Sequence, residues 1–201
     1  MRFGDRRLGA GSAWVSLVLA GSLVSCSGPR NFVQRDVDWG YYRRIGIAPF
    51  QNLTSDRTAG AKVTSSFLTE LLITQSFEVA EPGSFSRALN EVMKAQGIND
   101  PNQLSAAELK LLGEKAQVQA ILFGTVREYA MTRSGQDEFP LVSVDLRLVD
   151  APTGNLLWAA SLTRQGGPKL PFLSIGETRT LGQMSQEVCE KLATSLAGNL
   201  R

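Results

Sequence analysis

Histidine is absent from all 201 residues. That single absence removes the commonest general base and the commonest metal ligand together, so Ser-His-Asp and Cys-His arrangements and the usual zinc sites are excluded. Cysteine is nearly absent too, with only Cys26 and Cys189 in the chain. The longest apolar run, residues 9–24, holds sixteen residues, several of them Gly or Ser. A spanning helix needs about 20 predominantly apolar residues, so no permanent transmembrane anchor is expected. No Lys/Arg cluster interleaved with aromatics occurs, and nucleic acid is not an expected partner. The close glycine pairs, Gly166-Gly167 and Gly9-Ala10-Gly11, have no Lys-Ser/Thr neighbour that would complete a phosphate cradle. Carboxylates stand singly or on polar faces, as with Asp137-Glu138 in a hairpin tip and Glu187 with Glu190 on a helix. No catalytic residue, metal ligand or cofactor is assigned.

The first 25 residues are the most explicit part of the chain. A basic start with Arg2, Arg6 and Arg7 leads into the apolar run, which is the plan of a secretory signal peptide. It ends in Leu23-Val24-Ser25-Cys26, which resembles the lipobox of bacterial lipoproteins. The thiol of Cys26 is the nucleophile that takes up diacylglycerol, and the small Ser25 lets a peptidase close around the bond. The expectation is therefore a signal peptide over residues 1–25 and a lipid on Cys26. Ser27 stands where an aspartate would resemble an inner-membrane retention signal, so the expected location is the periplasmic face of the outer membrane. Loss of residues 1–25 leaves 18 basic and 18 acidic side chains. Cys189 is then the one cysteine besides the lipidated residue, and no internal disulfide can form.

Residues 26–43 are mixed and polar, with Gly28-Pro29 near the start, and are read as a tether. Sixteen extended residues would reach roughly 50 Å. Residues 44–201 are read as one domain. Arg44-Ile45-Gly46-Ile47-Ala48-Pro49-Phe50 is a short strand stopped by Pro49, and residues 58–74 follow as an amphipathic helix carrying Val63, Phe67, Leu68, Leu71 and Leu72. Phe77-Glu78-Val79-Ala80 forms a second strand. Ser84 is the expected N-cap of a helix bearing Phe85, Ala88, Leu89, Val92 and Met93, closed by Gly97. Ser105-Ala106-Ala107-Glu108 is a capping box for a third helix with Leu109, Leu112 and Ala116 on one side.

Residues 118–131 centre on Ala120-Ile121-Leu122-Phe123, the unbroken apolar pattern of a strand covered on both faces. Residues 141–149 alternate strictly, Val142, Val144, Leu146 and Leu148 against Ser143, Asp145 and Arg147. A turn at Asp150-Ala151-Pro152-Thr153-Gly154-Asn155 returns the chain into a strand around Trp158. Leu181, Met184, Val188, Leu192 and Leu196 mark a last helix, with Cys189 beside its apolar stripe as a core residue. The expected fold is α/β (α+β), in the order β-α-β-α-α-β-β-β-α: a mixed sheet ending in an antiparallel meander, with helices packed mainly on one face. The loop at residues 166–175 carries Leu170, Phe172 and Leu173, which either cover the end of the sheet or dock a partner.

Several segments together resemble the CsgG-like and LpoB-like periplasmic lipoproteins, whose domain is related to the amino-terminal domain of TolB. They are Ile45-Gly46-Ile47-Ala48-Pro49-Phe50-Gln51-Asn52, Leu71-Leu72, Phe77-Glu78-Val79, Leu89-Asn90-Glu91, Ala120-Ile121-Leu122-Phe123-Gly124-Thr125-Val126, Val144-Asp145-Leu146-Arg147-Leu148-Val149-Asp150 and Thr153-Gly154-Asn155-Leu156-Leu157-Trp158. The resemblance implies the same α/β domain and an envelope assembly factor rather than an enzyme. The pore-forming branch adds spanning hairpins. Here the connections at residues 131–140 and 166–176 are too short, since each spanning strand needs about 9–11 residues. The expectation is thus a non-enzymatic lipoprotein held to the membrane by its lipid and binding an envelope protein, as an LpoB-like activator of a peptidoglycan synthase or a CsgG-like secretion accessory. A homo-oligomeric ring in an export apparatus is the alternative.

Overall fold

A computed structural model describes residues 28–134, 137–167 and 178–200. Cys26 and the loop residues Leu170, Phe172 and Leu173 lie outside the described residues. Seven strands form one mixed sheet: β1 Arg30–Val33, β2 Arg44–Ile47, β3 Gln51–Asn52, β4 Glu78–Val79, β5 Ala120–Ser134, β6 Asp137–Asp150 and β7 Leu156–Gln165. The strand order is β1-β7-β6-β5-β2-β4, with β3 continuing along β5. β5, β6, β7 and β1 pair antiparallel, whereas β2, β3 and β4 join in parallel. Helices α1 Ala59–Thr74, α2 Pro82–Gln96, α3 Ala106–Ala116 and α4 Leu181–Ala197 complete the domain. The mixed sheet, the meander and the order of the main elements are as the periodicity predicts.

The helices divide between the two faces rather than gathering mainly on one. Ile45, Ile47, Ala120, Leu122 and Val126 join the alternating residues of β6 in a core under α1 and α4. Ala48, Ile121, Phe123 and Val149 form a second core with α2 and α3. Period-two alternation in β2 and β5 sends neighbouring apolar residues to opposite faces, so an all-apolar strand demands cover on both sides. Two glycines make close cover possible. A Cβ on Gly46 would stand 2.0 Å from the ring of Phe85 in α2, and one on Gly124 would stand 2.5 Å from the ring of Phe50 on the other face.

Local signals explain most boundaries. Ser105 accepts from the Glu108 N–H while the Glu108 carboxylate takes the Ser105 N–H at 2.6 Å, so the expected capping box is formed. Caps of this kind contribute about 0.5–2 kcal/mol. Gly97 ends α2 with φ +67°. The start of α2 differs from expectation: Glu81 caps it by accepting from the N–H groups of Gly83 and Ser84, at 2.8 and 2.5 Å, and Pro82 takes the first turn. Proline suits that position because its missing N–H would have no partner there.

The larger correction concerns the tether. Within residues 26–43, Arg30–Val33 is drawn into the sheet as an edge strand on β7, with Arg30 opposite Ser161 and Val33 opposite Trp158. Asn31 donates to the Ser195 hydroxyl of α4 at 3.3 Å. Asp38 then caps a 3-10 turn at Trp39–Tyr41, and Val33, Val37, Trp39 and Tyr42 pack on the α1/α4 core. Four apolar residues spread over ten positions are too sparse to read as an element, yet enough to dock the segment.

Gly46→Ala should destabilise the domain by about 1–3 kcal/mol, the usual cost of overpacking. Thermal unfolding followed by circular dichroism reads this as a Tm lower by roughly 2–4 °C per kcal/mol. Adding Phe85→Leu should recover part of the loss, and a double-variant chain no better than Gly46→Ala alone would refute the steric explanation.

Candidate interaction surfaces

α2 and α3 cover only one end of their sheet face. Beyond Phe123, Thr125 of β5, Asp145 and Arg147 of β6 and Ser161 of β7 are polar and only partly buried. Arg147 projects from β6 beside Phe123, its guanidinium 5.0 Å from the ring centroid. Its Nη2 donates to Asn102 Oδ1 at 3.0 Å, and Asn102 Nδ2 donates on to Gln51 Oε1 at 3.2 Å and Asp100 Oδ1 at 3.0 Å. Two residues along β6, Asp145 Oδ2 meets Arg127 Nε at 2.9 Å, and Arg127 Nη2 donates to the Ser161 hydroxyl at 3.0 Å. These groups line and flank a cleft of about 220 Å³ that includes Gly124 and Thr125. A half-exposed ion pair contributes about 0–1 kcal/mol, so the network orients side chains more than it stabilises the fold. The result is a fixed array of donors and acceptors on an uncovered sheet face.

The opposite end of the sheet carries a second polar constellation. Tyr42, placed by the docked amino-terminal segment, donates its hydroxyl to Asp150 Oδ1 at 3.1 Å. Asp150 Oδ2 accepts from the Thr153 N–H at 3.0 Å and from its hydroxyl, which ties the β6–β7 turn whose Gly154 has φ +73°. Burial first, and the Asp150 carboxylate second, push the Tyr42 phenol up to about 12. It therefore stays a proton donor at any physiological pH. Clefts of about 450 and 380 Å³ open on either side of the 3-10 turn and share Tyr41. The polar groups here hold the chain together rather than pointing at a reacting atom.

Cys189 behaves as the composition predicts. It is fully buried in α4, and desolvation, with the nearby Glu70 carboxylate second, pushes its thiol up to about 12. A thiol protonated to that degree is no nucleophile. Elsewhere, Asp56 is held down at about 2 by hydrogen bonds from Thr58, with Lys62 adding to them, and its Oδ1 accepts from the Thr58 N–H at 2.8 Å just ahead of α1. Among the described residues no group of His, Cys, Asp and Glu could hold a metal ion. No described helix is long and apolar enough to cross a membrane.

The array around Arg147 was not legible as a site, since Asn102 and Arg147 are 45 residues apart and meet only once α3 has packed. The available signal was the polar half of β6, Ser143, Asp145 and Arg147, which reads equally well as a solvated face.

Residues 43–168 match the family described as GNA1162-like lipoprotein. The PelC dodecamer from Paraburkholderia phytofirmans is similar in fold, at 20% identity and a TM-score of 0.54 over 84% of this chain and 96% of that one. Lipoprotein GNA1162 from Neisseria meningitidis aligns at 23% identity and a TM-score of 0.51 over 76% of this chain and 99% of that one. The LpoB carboxy-terminal domain from Salmonella enterica aligns more loosely, at 14% identity and a TM-score of 0.42 over 61% of this chain and 82% of that one. No curated protein matches the chain.

Burial of Cys189 has a measurable alkaline consequence. Its folded pKa lies above the ordinary thiol value near 9, so through that window the folded state keeps a proton the unfolded state loses, and stability falls as pH rises. The urea midpoint should drop between about pH 8 and about pH 10, and drop less in Cys189→Ala. Equal slopes in both chains would show that the thiol is not the group involved.

Proposed function

Because the chain belongs to the GNA1162-like lipoprotein family, we propose that it is a non-enzymatic lipoprotein, anchored through Cys26 to the periplasmic face of the outer membrane, that binds a protein partner in envelope biogenesis. The observation that carries the partner-binding reading is the uncovered half of the sheet face around Arg147, Asn102, Asp145 and Arg127. There, polar side chains are fixed by one another across β5, β6 and β7, which lowers the ordering cost of recognition. Leu170, Phe172 and Leu173 join this proposal as apolar contacts from the segment after β7 in sequence.

The partner class remains the one implied by the sequence resemblance, a cell-wall synthase or a secretion assembly, and the CsgG-like and TolB-related character of the segments belongs to the same proposal. A second reading is favoured by one observation: PelC, which shares the fold, is a dodecamer. On that reading, copies of this chain assemble into a ring that borrows its pore from another protein.

Cys26→Ala should move the protein from the membrane fraction to the soluble periplasmic fraction, read by fractionation and immunoblot. A photo-crosslinking residue at Thr125 in the wild-type background should trap one defined envelope protein. Recovery of bulk lipoproteins alone would count against specific binding. Sedimentation of the purified domain separates the two readings, since a monomer at micromolar concentration disfavours the ring.

A further inference from the structure

We propose that the lipidated protein lies against the bilayer on its β1 edge, with the strands running along the lipid surface rather than into it. This rests on the lipidation of Cys26 proposed above. Chain length sets the first limit. Three residues separate Cys26 from Arg30, where β1 begins, and four Cα steps span at most about 14 Å in any conformation. The glycerol carried on the Cys26 sulfur sits at the depth of a phospholipid's own glycerol. The headgroup zone above it takes about 5–7 Å per leaflet. What remains is less than the width of one helix, about 10–12 Å.

Strand register sets the second limit. Arg30 is level with Ser161, and Ser161 with Asp145. From Asp145, β6 runs eight residues back to its first pair, Asp137 with Ser134. At about 3.3 Å per residue the β5–β6 hairpin extends roughly 26 Å past Arg30, about twice the reach of Cys26. That end carries the exposed charges Arg133, Asp137 and Glu138, which hydrocarbon excludes. In the other direction β7 runs five residues from Ser161 to Leu156, roughly 16 Å, before the turn at residues 151–154. Neither end of the sheet can therefore point straight at the bilayer.

The remaining sides of Arg30 decide the face. α4 occupies one of them, fixed by the bond between Asn31 and Ser195. Among the described residues no helix covers the outer edge of β1, where Phe32 stands 47% exposed. An exposed apolar ring beside a lipid anchor is suited to the boundary between headgroups and acyl chains. The occupant of this edge is thus the phospholipid surface itself.

The test uses the full lipidated chain in vesicles of phosphatidylethanolamine with a minority of phosphatidylglycerol, doped with nitroxide-labelled phospholipid. A fluorophore is attached in Arg30→Cys and, separately, in Asn90→Cys, an exposed position on α2 at the opposite side of the sheet. The buried Cys189 and the lipid-blocked Cys26 do not compete for label. Quenching should be several-fold stronger at position 30 than at position 90 in protein that floats with the vesicles. Equal quenching at the two positions in floating protein, or stronger quenching at position 90, overturns the inference and leaves the anchor intact. Protein that carries no lipid on Cys26 and stays in the aqueous fraction overturns the anchoring proposal, and this inference with it.

Discussion

Everything else in the domain hangs on the backbone pairing of β5. This strand holds β6 antiparallel along one side, from Ala120 opposite Asp150 to Ser134 opposite Asp137, and holds β2 and β3 in parallel along the other. It is the seam where a parallel α/β half meets an antiparallel meander. Its side chains feed both cores at once, Leu122 and Val126 into one and Ile121 and Phe123 into the other. A strand in that position must be apolar at nearly every residue, and it leaves room for neighbouring rings only where a side chain is missing. Gly124 on β5 and Gly46 on β2 are those places, one on each face.

The same strand explains which parts of the fold could be read in advance. Ala120-Ile121-Leu122-Phe123 names a doubly covered strand, and the alternation from Val142 to Leu148 names a one-sided partner, because both patterns are local. The capping box at Ser105 and the glycine at position 97 are local as well. Which helix covers which face was not legible, because a short run such as Ile45-Gly46-Ile47-Ala48 gives no sign of which residue meets which helix. Strand β1 was hidden for another reason: its pairing with β7 joins residues about 130 positions apart, and its own four residues form no distinctive pattern.

Function follows the same line between local and assembled. The stretch Leu23-Val24-Ser25-Cys26 that resembles a lipobox is four consecutive residues, so the proposed lipidation of Cys26 rests on a local pattern. The Arg147 array exists only after α3, β5, β6 and β7 have come together, and no spacing rule announces it. The family match over residues 43–168 covers the assembled part and agrees with the expectation of an envelope lipoprotein. The raised pKa of Cys189 agrees with its reading from the helical stripe as a core residue.

The docking of β1 couples two properties that are usually independent. While Arg30–Val33 is paired, the stretch between Cys26 and the sheet is three residues long and both edges of β7 are occupied. If those residues leave the sheet while Val37, Trp39 and Tyr42 stay packed on the core, the stretch between Cys26 and the domain grows to ten residues, roughly 35 Å when extended, and β7 offers unpaired amides to any passing strand. Because the pairing spans most of the chain, loop-closure entropy makes it a late step in folding. The amides of β7 therefore stay open to other strands until the amino-terminal segment has docked.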